Sequence, residues 1–302
     1  MMILGAGKGF PIFLRRFKYE NRAICLLEKL SIEELDSFVR NGFLVCRGAI
    51  PERELVDVDR DSMELIDKGK DGPFGDERWR YGKDEVFNKH SCLYRVNRLD
   101  DADMPESFSI LLAYPPLLRT VHSLVKGDAF AASVHALVFK LPEHGFPALW
   151  HQDPVKVFHF PVFNMDIYLD DSTRKNGCLW VIPGSHLAGY HDSKKTTQFI
   201  PSWTRGLHET APGAVPVEVS RGDVIFHATT LIHGSFWNRS SDLRRTVYYH
   251  FDHAHDVALA GQSWPQNQFK EACFSTTLAV KKRANRYPNE VAFPYADSLK
   301  GS

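Results

Sequence analysis

Trp150-His151-Gln152-Asp153 sets an imidazole and a carboxylate two residues apart. Side chains alternate along a strand, so His151 and Asp153 would point to one face and offer two ligands to a divalent metal. An H-x-D pattern is common by chance, and it equally describes the end of a surface strand. A second imidazole, His233, follows 82 residues later in Gly222-Asp-Val-Ile-Phe-His-Ala-Thr-Thr-Leu-Ile-His233-Gly-Ser235, far enough for the chain to cross a barrel and return. Two imidazoles and one carboxylate on one face of a metal leave three positions open, which suits non-haem Fe(II) oxygen chemistry. Arg244 lies eleven residues beyond His233, past a turn at 238–242, on the next strand. Its planar fork could take a distal carboxylate through two parallel hydrogen bonds, and the Ser235 hydroxyl could add a third. Arg245 is its rival, because one of the pair must face in and the other out.

The elements that would position these residues can be read coarsely. Ser31-Ile-Glu-Glu34 is a capping box, so a helix should begin near Ile32, with Leu35, Phe38 and Val39 as its apolar stripe. Asn41-Gly42 stops it, and Phe43–Cys46 reads as a short strand. Pro51 opens a second helix, with Leu55, Val58, Met63, Leu65 and Ile66 as its buried side. Residues 70–90 are rich in Gly, Asp, Arg and Trp and read as a loop; 92–99 reads as a strand; Pro115-Pro116 begins a helix that ends near Lys126-Gly127. From there β-like runs recur at 131–141, 158–169, 178–182, 217–219, 223–226 and 245–251, punctuated by Gly, Pro, Asp and Asn. Many short strands with turn signals imply an antiparallel sandwich or barrel, and helices first with strands later imply an α+β fold with helices on one side. His250-Phe-Asp252-His253-Ala-His255-Asp256 is dense in ligand types, but it follows the last clear strand and reads as a polar rim.

Composition limits the function classes. The 302 residues are 43% hydrophobic, 25% charged and 12% aromatic, which excludes a disordered tail, a collagen-like rod and a coiled coil. Lys plus Arg, 37, equals Asp plus Glu, 37, so the basic excess of a nucleic-acid binder is missing. No apolar stretch of about 18 residues exists, so no membrane partner is expected. Five cysteines, an odd number without a C-x-x-C pair, argue against a disulfide framework and a structural zinc site. A reducing compartment, the cytoplasm, fits best. The first 30 residues hold six Lys/Arg against Glu20 and Glu28, a faint likeness to an organelle presequence. Oligomeric state cannot be read from the sequence.

Taken in order, His151-Gln-Asp153, Asn176-Gly-Cys-Leu-Trp-Val-Ile-Pro-Gly-Ser-His186, Arg221-Gly-Asp-Val, His233-Gly-Ser235, Asn238 and Arg244 resemble the phytanoyl-CoA dioxygenase (PhyH) family. The opening segment 31–47 is similar to that family's start, and the resemblance covers roughly residues 31–252. It implies an α+β double-stranded β-helix, a jelly-roll or cupin-like barrel, with flanking N-terminal helices. It also implies an Fe(II)- and 2-oxoglutarate-dependent dioxygenase that uses O2 to oxidise, chiefly to hydroxylate, a small organic metabolite, with release of succinate and CO2. On this resemblance His151, Asp153 and His233 are the catalytic iron ligands. Arg244 pairs with the far carboxylate of 2-oxoglutarate, and Ser235 helps it. The strand 134–139 lines the co-substrate pocket, with His135 and Leu137 expected to face inward. Asp153 fills the position that iron halogenases leave vacant for chloride, which disfavours halogenation. Arg95 and Arg98, with Trp79, Arg80 and Tyr81 in the loop before them, are candidates for the substrate mouth. The expected layout is an arm over 1–30 and one oxygenase domain over 31–302, with a β-helix core at about 130–252 and a C-terminal extension at about 257–302. Two rival readings stay open at this point: a metal-binding barrel that does not use 2-oxoglutarate, such as a hydrolase, and a non-catalytic binding module.

Overall fold

A computed structural model describes residues 30–70, 72–73, 75–83, 91–143, 145–153, 162–189, 211–260 and 266–299. The N-terminal arm expected over 1–30 lies, apart from Leu30, outside the described residues. Helix α1 (Ile32–Asn41) starts where the Ser31 hydroxyl accepts from the Glu34 amide at 3.2 Å and the Glu34 carboxylate accepts from the Ser31 amide at 2.7 Å. It ends at Gly42, whose φ of +80° is cheap only for glycine. Strand β1 (Phe43–Cys46) and helix α2 (Glu52–Lys70) follow, then β2 (Trp79–Lys83), β3 (Ser91–Asn97), α3 (Glu106–Leu112) and α4 (Pro115–Leu124). The strands β4 (Phe130–Lys140), β5 (Ala148–His151), β6 (Phe163–Tyr168) and β7 (Leu179–Val181) come next. After a 3-10 turn (Ser185–Ala188) the chain forms β8 (Val215–Val217), β9 (Val224–Ala228), β10 (His233–Ser235) and β11 (Arg244–His253). It closes on α5 (Ala254–Ala260), α6 (Gln266–Arg286) and α7 (Tyr295–Ser298).

The strands form two antiparallel sheets, β1-β9-β6-β11-β4-β3-β2 and β5-β10-β7-β8. The neighbours are mostly distant in sequence, as in a double-stranded β-helix. A shared cluster of Phe43, Tyr168 and Ile225 from the large sheet with Leu179, Val181 and Val217 from the small one packs the two together. The large sheet turns its other face to the helices. There Leu137, Phe139, Phe163, Met165, Val247, Tyr249 and Phe251 join Leu55, Phe108, Leu117, Leu118 and Val121 in the main core. Each fully buried side chain of this size contributes about 1.5–3 kcal/mol. The helices therefore cover one side of a β core, as the order of elements implied.

Several elements depart from the sequence expectations. Strand β2 lies inside the segment read as a loop, because Trp79 is drawn into the core and its indole N–H donates to the Leu65 carbonyl at 3.2 Å. Met63 of α2 is half-buried, whereas Leu55, Val58, Leu65 and Ile66 are buried. The last 40 residues carry α6, which sequence periodicity left without an element. Its buried stripe is Ala272, Thr276, Ala279 and Arg283, correctly spaced for a helix but built from small and polar residues. The segment expected as a polar rim is interior: β11 extends to His253, and His250, Asp252, His253 and Asp256 are all 5% exposed or less.

Candidate metal centre and co-substrate cavity

Register brings the two imidazoles together. His233 on β10 stands opposite His151 on β5, and their ring centroids are 4.2 Å apart. Asp153 follows two residues past the strand end, where its amide donates to the Thr229 carbonyl at 2.9 Å. Its Oδ1 lies 3.6 Å from His151 Nε2 and 3.9 Å from His233 Nε2. One ligand atom from each of the three falls within 4.8 Å of the others, the one such group found among the described residues. His151 Nδ1 donates to the Leu149 carbonyl at 2.6 Å, and His233 Nδ1 donates to the Leu231 carbonyl at 2.8 Å. A carbonyl can only accept, so each Nδ1 carries the proton and each Nε2 keeps its lone pair for a metal.

The electrostatics favour the ligating forms of Asp153 and His233. Burial alone would raise the Asp153 pKa, but His233 and His151 beside it pull it below the ordinary carboxylate range. Burial, then His151, hold His233 down to about 3, so it is neutral at neutral pH. Burial opposes the charged form of His151 as well, but Asp153 outweighs it and raises that pKa.

Behind the triad, strand β6 adds residues that sequence reasoning missed. Asn164 Nδ2 donates to Asp153 Oδ2 at 2.5 Å, while its Oδ1 accepts from Tyr248 Oη at 2.8 Å and from His250 Nδ1 at 2.8 Å. Two residues on, Asp166 Oδ2 lies 3.2 Å from His227 Nε2. Burial works against the His227 imidazolium, and Asp166 outweighs it, raising the pKa. The available signal was two polar residues, Asn164 and Asp166, spaced by two in a wholly buried strand of sequence FNMDIY.

A cavity of about 460 Å³ opens beside His151 and is lined by Tyr94, Arg95, Lys140, Phe146, Trp150, Ser235 and Arg244 among others. Arg244 is 5% exposed; its Nη1 donates to Thr246 Oγ1 at 3.3 Å, and its Nε has no hydrogen-bond partner among the described residues. A buried guanidinium N–H without an acceptor is costly, and an incoming carboxylate would satisfy it. The Ser235 hydroxyl donates to the Gly177 carbonyl at 2.8 Å from the same wall. Arg245 faces the opposite way, and its Nη2 meets Asp170 at 2.7 Å and Asp59 at 2.8 Å. The donor set, two imidazole nitrogens and a carboxylate oxygen beside an unsatisfied arginine, fits a ferrous ion with a carboxylate-bearing co-substrate.

Several expected residues fall away from the cavity. In the β4–β11 register Arg244 stands opposite Lys140, so Lys140, Val138 and Ala136 share the cavity face. His135 and Leu137 therefore point the other way, a correction to the inward reading. Leu137 packs in the main core, and His135 donates to the Ala132 carbonyl at 3.0 Å and meets the Tyr249 ring edge-on. Arg98 is on the surface, 71% exposed and paired with Asp101. Arg95 does line the cavity, with its guanidinium 5.0 Å from the centre of the Tyr248 ring. Of the loop candidates, Trp79 is core, Tyr81 donates to the Gly69 carbonyl, and Arg80 lies in a surface groove.

A sequence model of the family described as phytanoyl-CoA dioxygenase (PhyH) matches residues 38–246. Phytanoyl-CoA dioxygenase 1 of Oryza sativa subsp. japonica is 30% identical over 272 residues, covering 79% of this chain and 95% of that protein. The crystal structure of AviO1 from Streptomyces viridochromogenes Tue57 is similar with a TM-score of 0.60 and 30% identity, covering 72% of this chain and 93% of that one. EctD from S. alaskensis, solved with 2-oxoglutarate and 5-hydroxyectoine, gives a TM-score of 0.61 at 19% identity over 79% of this chain and 81% of that one. At that identity the likeness is one of fold.

Proposed function

Since the chain belongs to the phytanoyl-CoA dioxygenase family, we propose that His151, Asp153 and His233 hold its catalytic Fe(II), and that Arg244 and Ser235 hold the far carboxylate of 2-oxoglutarate. The protein is a non-haem iron, 2-oxoglutarate-dependent oxygenase acting on a small molecule. With iron, 2-oxoglutarate and O2 bound, such a site couples oxidation of the keto acid to succinate and CO2 with insertion of one oxygen atom into a substrate C–H bond. The residues position that chemistry. Asn164 ties down one oxygen of Asp153 and leaves the other for the metal. The two backbone carbonyls behind His151 and His233 fix both tautomers. Arg244 and Ser235 orient the co-substrate along the cavity.

The single observation that carries the reading is the orphaned Nε of a buried Arg244 in the cavity that also holds His151. A carboxylate bound in that cavity would give this guanidinium the acceptor it lacks, which supports a dicarboxylate co-substrate beside the metal over a site that binds metal alone. Hydroxylation of a small organic metabolite is the proposed outcome, with Arg95 at the cavity wall meeting a polar or anionic group of the substrate. Residues 31–302 are proposed to act as one oxygenase domain. The odd number of cysteines without a C-x-x-C pair supports a reducing compartment, and a cytoplasmic location is part of the proposal. No helix among the described residues is long and apolar enough to cross a membrane.

The test needs no substrate. Oxygenases of this kind slowly turn over 2-oxoglutarate alone, so purified protein with Fe(II), 2-oxoglutarate and air should release succinate above the metal-free background. Asp153→Ala should abolish the release. Succinate at the background rate in the wild type, or undiminished release from Asp153→Ala, would contradict the assignment.

A further inference from the structure

Lys140 closes β4 and stands opposite Arg244 in the register with β11, so both side chains leave the sheet on the cavity side. Both line the cavity with Ser235, and they are 2% and 5% exposed. Like charges directly opposite on an antiparallel pair repel, and burial removes the water that would screen them. Among the described residues no carboxylate pairs with either one. Among the described residues Lys140 Nζ donates to carbonyl oxygens alone, of Phe146 at 2.6 Å and Ser235 at 3.3 Å. An ammonium has three donors, so one hydrogen is left over.

The stem of Lys140 runs through a slot that two glycines keep clear. A Cβ on Gly177 would stand 2.7 Å from Lys140 Cδ, and one on Gly145 would stand 2.6 Å from Lys140 Cβ. Gly177 has a φ of +81° and is the glycine of the Asn176-Gly177 pair, so the turn entering β7 serves this lysine as well as its own geometry. Backbone on both sides is thus shaped to place a second cation beside an arginine whose Nε is unsatisfied.

We propose that Lys140 is a second co-substrate-binding residue, which with Arg244 receives the far carboxylate of 2-oxoglutarate. The inference rests on the 2-oxoglutarate reading given above. An anion between the two cations removes their mutual repulsion and supplies the acceptor that Arg244 Nε and the third Lys140 hydrogen lack. Burial and then Arg244 push the Lys140 pKa well below the usual lysine range, and a bound carboxylate opposes that push.

The experiment compares two keto acids on two proteins. Fe(II)-loaded wild type and Lys140→Met are titrated without oxygen, using the visible charge-transfer band of the iron–keto acid chelate to obtain Kd. The ligands are 2-oxoglutarate and 2-oxopentanoate, which has the same chain length but no far carboxylate. Lys140→Met should weaken 2-oxoglutarate by ~10-fold or more and leave 2-oxopentanoate unchanged, as expected for loss of one charged hydrogen bond. An unchanged Kd for 2-oxoglutarate, or equal weakening of both acids, would overturn the inference and leave Lys140 as a prop for the β5 entry. No band from the wild type would instead overturn the co-substrate assignment, and this inference with it. If Lys140→Met does not fold, Lys140→Gln keeps donors for the two carbonyls and removes the charge, and the same selective weakening is expected.

Discussion

Asp153 alone would be an ambiguous ligand, since a carboxylate has two oxygens and can rotate. Asn164 removes the ambiguity by donating to Oδ2, and Tyr248 and His250 hold the Asn164 amide in the one orientation that can donate. Partners of this kind change metal affinity by ~10–100-fold when removed. Asn164→Leu, close in volume, should therefore weaken Fe(II) binding by ~10–100-fold in an anaerobic titration; an unchanged affinity would show that Asp153 is oriented by other means. The three candidate ligands were legible because their types and spacing, H-x-D with a later His and an Arg eleven residues beyond, are unusual in combination. Asn164 was not, because it meets Asp153 only through the fold. The choice of inward residues on β4 failed for a related reason. Alternation offers two faces and does not say which one lines the cavity; the pairing of Arg244 with Lys140 does, and it turns His135 and Leu137 to the buried face that packs against the helices.

At the scale of elements, local chemistry fixed the boundaries it could reach. The Ser31–Glu34 capping box starts α1 and Gly42 ends it as expected, because both act within one turn. Gly42 also carries a longer-range duty. A Cβ there would collide with the ring of His186, which donates from Nε2 to the Val39 carbonyl at 2.9 Å and ties the 3-10 turn after β7 to α1. Gly42→Ala combines a left-handed φ with that collision and should destabilise the protein by about 1–3 kcal/mol, read as a lower urea midpoint. An unchanged midpoint would mean that His186 moves aside freely. Helix α6 was illegible for the opposite reason: its buried side is Ala272, Thr276, Ala279 and Arg283, and no apolar stripe marks it. Thr276 nonetheless reaches the sheet, its hydroxyl accepting from the Ala132 amide at 3.2 Å.

Over the whole molecule, α6 is joined to the N-terminal helices by one buried charge. Arg283 donates to Glu54 of α2 at 2.8 and 3.2 Å and to Glu290 at 2.7 Å, with the Arg283 and Glu54 side chains 3% and 4% exposed. Arg283→Met would strand the Glu54 carboxylate in the interior and should cost about 3–5 kcal/mol in denaturant unfolding, most of it recovered by adding Glu54→Met. No recovery in the double variant would mean that Arg283 acts mainly through other contacts. The sheet order was beyond sequence patterning, since β1 pairs with β9 and β6 with β11 across long intervals; only the family resemblance anticipated it. That order creates the site, because His151, His233 and Arg244 come from three different strands and meet only in the folded chain. The most direct test of the account is the visible spectrum of the purified protein after Fe(II) and then 2-oxoglutarate are added without oxygen. A weak charge-transfer band in the wild type that is absent in His233→Ala is the predicted result. Folded wild type with no band, or a full-strength band in His233→Ala, would contradict it.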